Sequence, residues 1–74
     1  MKFDYNKLKG RIIEKYGKQA ALAKAIGMSE HTMSVKINGK NCFTQNEIKS
    51  ICEKLTIPIL EIGDYFFTAE VQTA

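Results

Sequence analysis

The sequence predicts an all-α domain of five helices, and three observations carry that prediction. Apolar residues recur at helical spacing through four separate segments. Glycine, or an Asn-Gly pair, closes three of these segments, and glycine readily takes the left-handed conformation that ends a helix. No stretch shows the sustained alternation of apolar and polar residues that is typical of a half-buried strand. The 74 residues are enough for one domain, predicted over 1–74.

The first two helices are predicted over residues 4–16 and 18–26. The apolar stripe of the first helix comprises Tyr5, Leu8, Ile12, Ile13 and Tyr16. Gly17 follows the first helix and ends it. The second helix is short and alanine-rich, and its buried stripe comprises Leu22, Ala23 and Ile26. Gly27 then breaks the chain before the third helix.

The third helix is predicted over residues 29–37. Ser29 is a good N-cap because its hydroxyl can accept a hydrogen bond from a free backbone N–H of the first turn. Met28 and Met33 have the spacing of a hydrophobic staple around that cap. The helix is expected to end at Asn38-Gly39, a pair that favours positive φ.

The fourth helix, over residues 44–55, has the clearest start. Thr44 and Glu47 form the T-x-x-E pattern of a capping box, and Phe43 with Ile48 forms the staple around it. The core-facing stripe of this helix comprises Ile48, Ile51, Cys52 and Leu55.

A short fifth helix is predicted over residues 58–62. Pro58 suits the first turn of a helix, and Gly63 is expected to stop this one. The tail over residues 63–74 is predicted to be weakly featured after an aromatic cluster of Tyr65, Phe66 and Phe67. That cluster either completes the small core or meets a partner chain, and both interpretations remain open.

Composition limits the classes of function. The net charge is +3, which permits an anionic partner without demanding one. Residues 1–40 hold nine basic and three acidic residues, whereas residues 41–74 hold two basic and five acidic, so a basic surface is expected in the first half. The sequence shows no secretory leader and no apolar run long enough for a membrane helix, so a cytoplasmic protein is expected.

The two cysteines and the single histidine argue against a disulfide framework and a structural metal. Cys42 and Cys52 form no C-x-x-C pair, and His31 is the only histidine, so a zinc site lacks ligands. Reduced, partly buried thiols are expected. Without a nucleophile elbow, a phosphate loop or paired carboxylates, we expect no enzyme activity, cofactor or small-molecule ligand.

The spacing of three small or apolar residues favours a helix-turn-helix. Ala23 is small where two helices cross closely, and Gly27, four residues later, allows a sharp turn. Met33, six residues further on, packs the third helix onto the others. In that geometry the third helix enters the major groove of duplex DNA, so residues 29–37 are the candidate reading helix.

Residues 19–29 (QAALAKAIGMS) and Thr32-Met33-Ser34 resemble the helix-turn-helix of the Cro/CI-type (XRE-like) repressors of phages and bacteria. The continuation through Lys36-Ile37-Asn38-Gly39-Lys40 and Phe43-Thr44 is similar to small prophage regulators of that group, and the resemblance covers about residues 4–67. It implies a five-helix lambda-repressor-like domain that binds operator DNA as a homodimer without catalysis.

The sequence departs from the pattern of that group in three ways. Lys18 stands where a Ser or Thr cap is usual, and Ala20 and Ala21 replace the usual acidic residues of the first turn. Lys36 occupies a position that is usually apolar, with Ile37 beside it, which leaves the rotation of the reading helix's end open.

Several side chains are candidates for contact with DNA. Gln19 can bond a phosphate at the start of the second helix, and Glu30 and His31 can reach base edges. Small residues of the reading helix can meet thymine methyl groups, and lysines near its end can contact phosphates. The candidates are Lys18, Gln19, Ser29, Glu30, His31, Thr32, Ser34, Val35, Lys36, Asn38, Lys40 and Asn41.

Each candidate also has a plainer interpretation. Glu30 is favourable at a helix N-terminus for electrostatic reasons alone, and His31 or any of the lysines can simply be solvated. The preferred function is sequence-specific transcriptional regulation in a phage or prophage, by competition for operator DNA or contact with polymerase. The alternative is an adaptor or anti-repressor that turns the same helix towards a protein.

Overall fold

The computed structural model describes residues 3–68 and contains the five predicted helices. They are α1 (Asn6–Tyr16), α2 (Gln19–Ala25), α3 (Glu30–Ile37), α4 (Gln45–Leu55) and α5 (Ile62–Phe66), with a 3₁₀ helix over Ile59–Glu61 ahead of α5. None of the helices in this range is long and apolar enough to cross a membrane. The predicted tail beyond residue 68 lies outside the described residues.

Local capping chemistry fixes where the helices begin and end. Gly17 closes α1 at φ 81°, and its N–H donates to the carbonyl of Ile13 over 2.9 Å. The capping box of α4 is complete: the N–H of Thr44 donates to Oε1 of Glu47 over 2.8 Å, and the N–H of Glu47 donates to Oγ1 of Thr44 over 3.2 Å. Helix α1 begins two residues later than predicted, where Oδ1 of Asp4 accepts from the N–H of Asn6.

All five helices and the segments joining them bury side chains in one core. Helix α1 packs against α2, α4 and α5, and α2 also packs against α3 and α4. The buried residues are Tyr5, Leu8, Ile12, Leu22, Ala23, Met33, Ile37, Phe43, Ile51, Cys52, Leu55, Ile57, Tyr65 and Phe66. Ile13, which the prediction assigned to the stripe of α1, is instead 54% exposed.

The predicted end of the fifth helix is wrong. Gly63 does not stop the helix but lies within α5, which runs on to Phe66. Ile62, Tyr65 and Phe66 have i, i+3, i+4 spacing, and the last two are buried. Burial of these rings therefore outweighs the low helix propensity of one glycine, which costs about 1 kcal/mol.

The structure divides the C-terminal aromatic cluster. Tyr65 and Phe66 belong to the core, where the ring of Phe66 meets that of Phe43 edge to face at 5.7 Å. Phe67 is 54% exposed and meets the edge of Phe3. Two rings of the cluster therefore complete the core and the third stays accessible, while contact of the cluster with a partner chain stays a prediction.

The two cysteines lie in different surroundings. Cys52 is buried in the core, and this burial raises the pKa of its thiol above the ordinary value. Cys42 is exposed, so the expectation of partial burial is wrong for this residue.

Candidate nucleic-acid interface

A tight turn joins α2 to α3. Gly27 takes φ 75° in this turn, and the N–H of Met28 donates to the carbonyl of Ala23 over 2.8 Å. Ala23 is 1% exposed and Met33 is fully buried, so α3 is anchored to the helices beneath it as the spacing predicts. One side of α3 is left facing outward.

Ser29 holds the start of α3. Its Oγ accepts from the N–H of Thr32 over 3.1 Å and donates to Oγ1 of Thr32 over 2.7 Å. The two hydroxyl groups are therefore partly satisfied by each other. Both residues line a hollow of about 410 Å³ between α3 and α4, together with Asn46 and Ser50.

A second hollow lies between α2 and α3. Lys18, Gln19, Glu30 and Ser34 line this depression of about 340 Å³, with Ile13 of α1 at its edge. Gln19 is half-buried, whereas Lys18, Glu30 and Ser34 are exposed. Here the structure assembles four of the predicted site residues from two helices into one surface, which we call the reading face.

The remaining residues of α3 take up different positions around this surface. His31 is exposed and Val35 is half-buried. Ser29 and Thr32 line the hollow on the α4 side, so the predicted residues do not all share one side of α3.

The ammonium group of Lys36 is already paired within the fold. It pairs with the carboxylate of Glu47, and the two side chains are only 13% and 24% exposed. Ile37 takes the buried position beside it at 2% exposure, which settles the rotation of the end of α3. We therefore remove Lys36 from the candidate contacts, because its charge is already neutralised within the fold.

Glu47 is held ionised by the same contacts. Partial burial raises the pKa of its carboxyl, but the hydrogen bonds from Lys36 and Thr44 and the charge of Lys36 outweigh burial and lower the pKa below its ordinary value. The carboxylate thus joins the end of α3 to the start of α4.

The segment after α3 carries the other predicted backbone contacts. Gly39 takes φ 81° and turns the chain, while Asn38 keeps a negative φ. The N–H of Lys40 donates to the carbonyl of Val35 over 3.1 Å, and the Lys40 side chain is exposed. Asn38 and Asn41 are also exposed.

Sequence reasoning missed Lys24, an exposed lysine in the last turn of α2. It lines a hollow of about 510 Å³ with Lys18 and Glu30. The accessible charges around α2 and α3 are therefore Lys18, Lys24 and Lys40 against Glu30, a modest positive balance. The sequence signal for Lys24 was its place six residues after Lys18, in the same short helical segment.

Comparison with known proteins places the chain in a family. The profile of DUF739, described as a protein of unknown function, matches residues 1–69. The chain belongs to the DUF739 family. None of the curated proteins matches this DUF739 chain.

A solved structure extends the comparison. The DUF739 chain is similar to the solution structure of the modulator of repression (MOR) of the temperate bacteriophage TP901-1 from Lactococcus lactis. The sequence identity is 40%, the TM-score is 0.80, and the match covers 97% of each chain. The all-helical fold of this DUF739 protein is thus that of a small phage regulator.

Proposed function

We propose that this protein regulates repression in a temperate phage by turning its helix-turn-helix towards a partner protein, a repressor of that phage. The observation that carries the proposal is the similarity to a modulator of repression at 40% identity over nearly the whole chain. The helix-turn-helix itself is proposed to be of the Cro/CI type, on the residues that carry that resemblance.

The charge of the reading face supports a protein partner. Glu30 lies at the front of α3, where an approaching phosphate would meet a carboxylate. Lys36 is neutralised by Glu47 and adds no free charge. A face with one acidic residue among few lysines suits a partner surface of mixed charge better than a polyanion.

The test measures operator occupancy by the repressor of the same phage, with and without the full chain. Added chain is expected to lower that occupancy, and Glu30→Lys is expected to weaken the effect because it reverses the charge at the centre of the contact. Glu61→Lys, the same charge change outside the hollows around α2 and α3, serves as the matched control. Unchanged occupancy at saturating chain would contradict the proposal.

A second candidate function is direct binding to operator DNA as a homodimer. The tight turn between α2 and α3 and the exposed Lys18, Lys24 and Lys40 favour it. With three lysines of each subunit on phosphates, six per dimer, the log–log slope of affinity against salt is expected to be about −5. Selection from a random duplex pool decides between the two functions, since a modulator that contacts protein enriches no sequence on its own.

Residue roles differ between these candidates. In DNA binding, Glu30→Ala and His31→Ala change base preference by about 1–3 kcal/mol, whereas Lys40→Ala weakens all sequences alike. If the chain contacts a protein, the same Glu30 substitution alters binding to the repressor. There is then no base preference for the substitution to change. We further propose a cytoplasmic, non-catalytic role without cofactor or small-molecule ligand, as the sequence leads us to expect.

A further inference from the structure

The outer side of α2 carries a hollow of about 510 Å³, which we call the α2 hollow. The residues that line it are Lys18, Ala20, Ala21, Lys24, Met28 and Glu30. Lys18, Ala20 and Glu30 also line the smaller hollow at the reading face, so the two hollows share a wall. A partner that covers the reading face therefore reaches the α2 hollow as well.

The floor of the α2 hollow is apolar. Ala20 and Ala21 place no long side chain between the charged residues, and the half-buried Met28 adds a flexible apolar one. Ile13 of α1, at 54% exposure, extends this apolar surface past Ala20 into the adjoining hollow. A phosphate placed here would lose water without gaining hydrogen-bond donors from the floor, whereas an apolar side chain gains free energy by burial. The floor therefore favours a protein segment over the backbone of DNA.

Three charges surround this floor. Lys18 precedes α2 and Lys24 lies in its last turn, so the two lysines border the hollow from opposite ends of the helix. Glu30 borders it from the first turn of α3. None of the three forms an ion pair within residues 3–68. A complementary partner thus carries acidic groups beside the lysines and a basic group beside Glu30.

We propose that the α2 hollow anchors the repressor, which fills it with a large apolar side chain flanked by carboxylates next to Lys18 and Lys24. A basic group of the repressor lies against Glu30, and Ile13 packs against the flank of the inserted side chain. Apolar anchors ringed by polar groups carry most of the binding energy of a protein interface. This role rests on the proposed function, and it adds an apolar anchor and the chemistry that the contact recognises.

The first test measures binding of the full chain to the purified repressor of the same phage by isothermal titration calorimetry, without DNA. Ala21→Gln places a longer polar side chain in the α2 hollow and is expected to weaken binding about tenfold or more. Ala25→Gln makes the same change at an exposed position of α2 that does not line the hollow. Its dissociation constant should stay within about twofold of the parent.

Ile13 is tested separately, because its substitution leaves α2 unchanged. Ile13→Gln is expected to weaken binding about fivefold or more, since it removes apolar surface that the partner buries. Ile13→Leu keeps an apolar side chain of the same volume and should bind within about twofold of the parent. Both changes fall on a side chain that is 54% exposed, so circular dichroism should show the parent fold.

The charges provide a third readout. Lys24→Glu is expected to weaken binding to the repressor about tenfold or more, because it brings a carboxylate against the acidic groups of the partner. Lys54→Glu makes the same change at an exposed lysine of α4 outside the hollows and should leave the affinity within about twofold. Loss of binding in Lys24→Glu together with unchanged binding in Ile13→Gln would indicate a purely electrostatic contact and overturn the anchor.

The outcomes separate the anchor from the proposed function. If the parent binds the repressor and Glu30→Lys weakens binding, but Ala21→Gln and Ile13→Gln do not, the anchor is overturned and the proposed function stands. A parent chain that does not bind the repressor overturns both. If circular dichroism shows that Ala21→Gln is misfolded, Ile13→Gln and Lys24→Glu decide the question, because both change exposed side chains.

Discussion

At the scale of single residues, Arg11 is the clearest long-range contact in the fold. From α1, its Nε donates to the carbonyl of Leu55 over 3.0 Å, and a terminal nitrogen donates to the carbonyl of Thr56 over 3.4 Å. These carbonyls lie at the end of α4, where the helix leaves acceptors without partners. Because the Arg11 side chain is only 24% exposed, water replaces it poorly.

Arg11→Met is therefore expected to lower the free energy of unfolding by about 1–3 kcal/mol, the range for hydrogen bonds to a charged group. Urea denaturation followed by circular dichroism measures the change. Lys15→Met, an exposed position on the same helix, is the control and should stay within about 0.5 kcal/mol of the parent. Equal losses for both variants would show that Arg11 stabilises the fold only through its positive charge and not through these hydrogen bonds.

The pair of Glu47 and Lys36 makes stability depend on pH. Because contacts in the folded chain lower the pKa of Glu47, the ionised form stabilises the fold above the unfolded-state pKa. This contribution is lost as the pH falls through the lower folded-state pKa. Glu47→Gln, which keeps a side chain able to complete the capping box, should cost about 1–3 kcal/mol at neutral pH.

The difference between Glu47→Gln and the parent should shrink as the pH falls from the unfolded-state pKa, about 4.3, towards the lower folded-state pKa, because the unfolded chain binds the proton more readily than the folded one. Denaturation at several pH values measures this difference in the free energy of unfolding. Lys36→Gln, which removes the partner of the carboxylate, should likewise lower the free energy of unfolding at neutral pH. A constant difference across the acid range would contradict the assignment.

Of the two contacts of Glu47, with Thr44 and with Lys36, the sequence predicts only the first. Thr44 and Glu47 are three residues apart, so their contact follows from local capping rules alone. Lys36 lies 11 residues from Glu47, and their meeting depends on how α3 packs against the start of α4. No local pattern encodes that approach, so the sequence alone predicts a DNA contact for Lys36.

At the scale of elements, the end of α4 carries a strained cap. Thr56 adopts φ 56° and ψ 48°, a left-handed conformation that is unfavourable for a β-branched residue. Its side chain is exposed, and its backbone makes the contacts that matter. Thr56→Gly should thus raise the free energy of unfolding by about 0.5–1 kcal/mol, after the entropy cost of glycine is subtracted.

Thermal denaturation measures this gain as a higher midpoint temperature. The opposite sign is expected for Lys54→Gly, two residues earlier within α4, which should lose up to about 1 kcal/mol. If both glycine variants were destabilised alike, the strain at Thr56 would be negligible.

Helix starts were easier to predict than the last helix. Ser29 and Thr44 cap their helices as expected, because each cap is a contact within four residues. The propensity of Gly63 alone predicts too early an end for the fifth helix, whereas the burial of Tyr65 and Phe66 extends the helix past it. Tyr65 and Phe66 follow Ile62 by three and four residues, a helical spacing that indicates the longer helix.

At the scale of the whole molecule, a chain of 74 residues has little stability to lose. A domain of this size buries only about 60% of the surface of its unfolded chain and is stable by a few to about ten kcal/mol. Met33 is fully buried and belongs to the one core to which every helix contributes. A defect there is therefore felt by the entire fold and not by α3 alone.

Met33→Asp is accordingly expected to cost about 4 kcal/mol or more and to leave most of the chain unfolded at neutral pH, because it places an unpaired carboxylate in the core. Far-ultraviolet circular dichroism and thermal denaturation measure the loss. Ser34→Asp introduces the same group at the adjacent exposed position and should melt near the parent, which separates burial from the chemistry of aspartate. Matching melting curves for Met33→Asp and the parent would mean that α3 is not anchored through this residue, and the orientation of the reading face would have to be redrawn.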